Sequence, residues 1–71
     1  MVNDEIFEVI YYKSDDAEGD YLGKMTGEEI LESFPEVTEE DLERIIEDGE
    51  GSIILNIIAG DLLYLYYVGK D

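Results

Sequence analysis

The chain has 71 residues, 20 of them acidic and 4 basic, with no histidine and no cysteine, and its net charge is −16. That length allows one domain, and a domain this small buries only roughly 60% of its unfolded surface; without cysteine, no disulfide and no Cys-based zinc site supplements its core. An apolar fraction of 45% excludes an acidic disordered tail, which is poor in Ile, Leu, Tyr and Phe.

The first residues, Met1 to Glu5, lack the basic and apolar regions of a signal peptide. Ile6 to Tyr12 is rich in β-branched and aromatic residues and predicts a strand. Alternation sets Phe7, Val9 and Tyr11 on one face and Ile6, Glu8, Ile10 and Tyr12 on the other. Ser14 to Asp20 follows as a polar, acidic loop. It does not fit a calcium loop: counted from Ser14 the twelfth position is Met25, and counted from Asp16 a tyrosine stands where glycine is needed. Tyr21 to Met25 predicts a short strand returning beside the first.

Thr26 and Glu29 have capping-box spacing, which opens a helix. Ile30, Leu31 and Phe34 supply its apolar stripe, and Pro35 stops it by Phe34. Thr38 and Asp41 repeat the box for a second helix with Leu42, Ile45 and Ile46 as its stripe, and Gly49 ends it. Ser52 to Gly69 predicts a β-hairpin. With Gly60 and Asp61 as its turn, Ile58 pairs with Leu63 and Ile54 with Tyr67. One face then carries Ile54, Asn56, Ile58, Leu63, Leu65 and Tyr67, and the other Ile53, Leu55, Ile57, Tyr64, Tyr66 and Val68. Both are apolar, so the face that the helices leave open needs a curled edge, a second copy or a partner. The longest apolar-rich stretch, Ile53 to Val68, is too short and too interrupted to span a bilayer. The expectation is a single acidic α+β domain over residues 1–71, soluble and cytoplasmic. Its elements run β(β)ααββ, as a small antiparallel sheet with two short helices on one face.

Catalysis is not expected. Without His and Cys the commonest general base and the Ser-His and Cys-His pairs are missing. Ser14, Ser33 and Ser52 have no Gly-x-Ser-x-Gly setting, and no glycine-rich, lysine-bearing phosphate loop is present. No cofactor or metal is implied.

The charge is concentrated. Glu28 to Glu50 holds 11 acids and one base, Arg44. Glu28 and Glu32 are four residues apart, as are Glu39, Glu43 and Glu47, so each set stacks along one helix side at a pitch of about 6 Å. That pitch is comparable to the ~7 Å between phosphates of one DNA strand implied by its base-pair rise. The plainer reading is the solvated side of two amphipathic helices, and the dipole favours acids at their N-termini. It does not favour Glu47, Asp48 and Glu50 at a C-terminus, so these acids are the informative ones. The tyrosines, Tyr64 and Tyr66 among them, are either core residues with hydroxyls at the rim or an interface.

A tiny, cysteine-free, very acidic domain with carboxylate rows and tyrosines resembles the phage- and plasmid-encoded inhibitors that imitate DNA: anti-restriction proteins, uracil-DNA glycosylase inhibitors and many anti-CRISPR proteins. The resemblance is one of type, resting on whole-chain composition and on Glu28 to Glu50. It implies that Glu28, Glu32, Glu36, Glu39, Glu40, Glu43, Glu47 and Asp48, with the loop acids Asp15, Asp16, Glu18 and Asp20, contact the basic surface of a nucleic-acid-binding effector or nuclease. It implies no direct nucleic-acid binding and, for a phage-encoded chain, a place in the host cytoplasm. An anti-CRISPR is the first reading within that class. Two further readings stand beside it. One is an antitoxin or immunity protein covering a basic toxin or nuclease site. The other is a homodimeric accessory domain held by the hairpin face, in which Tyr64 and Tyr66 take part and the charge serves solubility.

Overall fold

The computed structural model describes residues 2–13, 18–56 and 58–70. A single 3₁₀ turn, Val2–Asp4, leads into β1 (Glu5–Tyr12). Next come β2 (Asp20–Thr26), α1 (Gly27–Ser33), α2 (Glu39–Asp48), β3 (Glu50–Asn56) and β4 (Asp61–Lys70). The four strands form one antiparallel sheet in the order β2-β1-β4-β3, and both helices cover one face. The expected α+β architecture is therefore present.

The helices begin and end where local chemistry dictates. Both capping boxes form, Thr26 with Glu29 and Thr38 with Asp41, each satisfying orphan first-turn amides from both sides. Helix α1 closes at Phe34, whose amide donates to the Ile30 carbonyl at 2.9 Å, because the residue before a proline is held out of helical geometry. Gly49 closes α2 at φ 92°, ψ −25°, a left-handed conformation that a Cβ would oppose. Gly27 answers a different need. A Cβ built there would stand 2.0 Å from the Val2 carbonyl oxygen, so glycine lets the N-terminal turn lie directly on α1.

The core lies between the helices and one sheet face. Phe7, Val9, Leu63 and Leu65 point inward from the two central strands and Ile53 from β3, against Ile30, Val37, Leu42 and Ile45, with Val2 at the margin. Full burial of each large side chain contributes about 1.5–3 kcal/mol. Helix α1 packs over β1 and β2, α2 over β3 and β4, and the N-terminal turn touches both helices. Two hydroxyls seal the rim: Tyr11 donates to Asp61 Oδ2 at 3.0 Å and Tyr67 donates to Glu5.

The hairpin register differs from the sequence expectation. Ile53 pairs with Leu63 and Ile54 with Leu62, not Ile58 with Leu63 and Ile54 with Tyr67. Four residues separate the strands, not two. Asn56 takes over the turn: its Oδ1 accepts from the amides of Ile58 (3.0 Å) and Ala59 (3.1 Å), and its carbonyl accepts from Gly60 N at 2.7 Å. The pairing moves by an odd number of residues, which exchanges the two faces of β3. Ile53 joins Leu63 and Leu65 inside, while Ile54 joins Tyr64 and Tyr66 outside. Ile58 is 99% exposed in the turn, and Ile57 lies outside the described residues.

Candidate functional site

The two sides of the molecule offer different chemistry. On the helical side, Glu28, Glu32, Glu36, Glu39, Glu40, Glu43, Glu47 and Asp48 are all exposed, and none forms an ion pair among the described residues. The helices hold one ion pair, Arg44 to Asp41 at 3.2 Å. Its partners are exposed enough for solvent to screen it, and such pairs contribute little. At about 100° per residue, Leu42 and Ile45 face the core, so Glu40, Arg44 and Glu47 stand on the crown of α2. The series Glu39, Glu43, Glu47 climbs one flank towards that crown. Arg44 has Glu40 one turn before it and Asp48 one turn after.

The sequence-predicted acids do not form one continuous row. Glu28 and Glu32 ride on α1, over β1 and β2, whereas the α2 series rides over β3 and β4. Glu18 and Asp20 belong to the end of the sheet where both hairpin connections lie, and Thr26, where α1 starts, is at the other end. Between Asp20 and Thr26 the strand runs about 20 Å, well beyond the ~8 Å over which exposed charges interact at physiological salt. Glu36, between the helices, sits near the hairpin end. Its charge adds to the Asp61 hydrogen bond, burial and the Asp61 charge in holding the Tyr11 phenol above its ordinary 10.0. Asp15 and Asp16 lie outside the described residues. Among the described residues no three metal-ligating side chains cluster and no pocket opens.

Among the described residues, no element covers the other side of the sheet. Alternation turns Glu8, Ile10 and Tyr12 of β1 and Leu62, Tyr64 and Tyr66 of β4 away from the helices, and register adds Tyr21 and Lys24 from β2 and Ser52 and Ile54 from β3. Tyr21 and Ile54 are each 62% exposed. The Tyr64 and Tyr66 rings meet at 5.0 Å. The Tyr64 phenol is held above its ordinary value first by burial, then by the charge of Glu50 and a hydrogen bond to it, with Tyr66 and Tyr12 adding to the effect. Among the paired residues of this face, Glu8 and Glu50 are the acids, so charge is spread very unevenly over the molecule.

Tyr64 and Tyr66 thus share a face, as alternation requires. Tyr12 and Tyr21, which the sequence had already marked among the tyrosines, complete it together with Ile10 and Leu62, which were not singled out as contacts; for Ile10 the signal was there in the alternation of the first strand. No helix among the described residues is long and apolar enough to cross a membrane. Comparison of the chain with protein-family models, with curated proteins and with solved structures returned no match.

Proposed function

We propose that the domain is a protein inhibitor of the anti-CRISPR or anti-restriction type, acting in the cytoplasm, whose acidic helical side occupies a basic nucleic-acid-binding surface of a defence complex or DNA enzyme. The observation that carries this reading is the flank of α2. Glu39, Glu43 and Glu47 are exposed, form no ion pair among the described residues and stand at a pitch of about 6 Å. Glu47 and Asp48 also sit at a helix C-terminus with no basic residue in its last turn, where carboxylates oppose the dipole. Arrangements that cost stability invite a functional reason, and a row of carboxylates at near-phosphate spacing suits Lys and Arg that otherwise hold a nucleic-acid backbone. Because α1 and the hairpin end lie apart from this flank, α2 is the primary contact and Glu28 and Glu32 a second one.

The test is capture from cytosol at low salt, elution along a salt gradient, and competition between the captured protein's DNA or RNA and this chain. A nucleic-acid-binding protein should elute at intermediate salt, lose its nucleic acid to the wild-type chain and fail to bind a folded Glu39→Lys, Glu43→Lys, Glu47→Lys variant. Undiminished capture by that variant, or a captured protein that keeps its nucleic acid, would sink the proposal.

A further inference from the structure

We infer that the bare sheet face is the contact surface for a second copy of this chain, and that the two copies stack as a two-fold sandwich with their strands aligned. The inference is independent of the acidic flank, which lies on the other side of the sheet.

Strand register arranges the face in rows. One row runs from edge to edge as Lys24 on β2, Glu8 on β1, Tyr66 on β4 and Glu50 on β3. The next runs Tyr21, Ile10, Tyr64, Ser52, and a third begins with Tyr12 and Leu62. Within one chain Lys24 and Glu50 stand on opposite edge strands, about 14 Å apart at the usual strand spacing. Lys24 is exposed, lies directly across from Glu8 and makes no ion pair among the described residues.

A two-fold axis parallel to the strands, between β1 and β4, reverses each row and keeps its level. Lys24 then lies over Glu50 of the second copy, and Glu50 over Lys24 of the second copy. Ile10 meets Tyr64, Tyr12 meets Leu62, and the Glu8 carboxylate meets the Tyr66 hydroxyl. An axis across the strands would set the charged row against the Tyr12–Leu62 row and leave Lys24 and Glu50 without partners. Charge complementarity therefore selects the first axis, and aligned sheets are an ordinary way for two such faces to pack.

Area permits it. Four strands of 7 to 10 residues, at the usual spacing and rise, give the face a footprint of roughly 500 Å², more than half of the roughly 800 Å² per partner of a standard interface. Long-range charge also permits it, because the acids of both helices point away from the contact and lie more than a Debye length of ~8 Å from those of the other copy.

Sedimentation velocity on the full chain at physiological salt tests this, with circular dichroism to confirm folding. The wild type should show a concentration-dependent monomer–dimer equilibrium. Lys24→Glu and Glu50→Lys are surface changes that keep the fold, and each should weaken the dimer by at least about tenfold, since each sets like charges together twice. The double exchange should restore wild-type association. A chain that stays monomeric at every concentration would overturn the inference, leaving the face to another occupant. So would a dimer indifferent to the single reversals, or one that the double exchange fails to rescue. Salt keeps this result distinct from the fate of the proposed inhibitor function: screening weakens capture of a basic partner and leaves a mainly apolar contact in place.

Discussion

The helical side and the bare sheet side are built from the same short chain and solve opposite problems. The helical side turns its apolar stripe onto the core, with Ile30, Leu42 and Ile45 buried and Leu31, Phe34 and Ile46 partly buried at its margin, and turns nearly all its charge to water; Glu40, Glu43 and Glu47 lie out. The sheet side does the reverse, leaving Tyr21, Ile54 and Tyr66 open to solvent with few acids among them. In a domain of net charge −16, uniform solubilisation would distribute carboxylates over both. The contrast teaches that charge and apolar surface are segregated onto opposite sides of the sheet, which is the distribution the two proposed contacts require.

The sharpest way to break this comparison uses two neighbours on β4. Leu65 is fully buried and Tyr66 is 40% exposed. Leu65→Ala should cost about 2–5 kcal/mol, as core truncations do. Tyr66→Ala, measured by denaturant titration at a concentration too low for self-association, should cost less than about 1 kcal/mol. Equal costs would mean that the open face is as structural as the covered one.

A smaller effect separates function from stability on α2. Glu47→Lys removes a like-charge pair with Glu43 and places a cation at the helix C-terminus, so the folded state should gain a few tenths of a kcal/mol, up to about 1. Capture of a basic partner should weaken in the same variant. A drop in the thermal midpoint would instead make Glu47 a residue that the fold needs.

The gentlest probe is alkaline pH. The phenols of Tyr11 and Tyr67, held first by hydrogen bonds to Asp61 and Glu5, and that of Tyr64, held first by burial, are raised above their ordinary 10.0. The unfolded chain therefore gives up these protons first. Stability is intact below about pH 10 and falls as pH climbs through the raised values. Tyr67→Phe should flatten part of that decline in denaturation midpoints followed against pH; an unchanged slope would show that the Glu5 contact does not hold the proton.

Local grammar was plain in the sequence. Thr26-x-x-Glu29 and Thr38-x-x-Asp41 announced both helix starts, Pro35 and Gly49 both ends, and the alternation in Ile6 to Tyr12 both faces of the first strand, because each of these rests on contacts within a few residues. Composition likewise announced an acidic surface and two apolar sheet faces. The hairpin register was not legible: Ile53 and Ile54 are equally fit for the interior, and the choice fell to the Asn56 side chain gathering turn amides and to Leu63 and Leu65 lying across from Tyr11 and Val9 on the covered face of the sheet. Nor was the separation of the acids into distinct patches, since α1 and α2 are near in sequence yet cover opposite halves of the sheet. Residue types and short spacings set what each segment becomes; which faces meet, and so which charges and tyrosines stand together, is decided by packing between segments far apart in the chain.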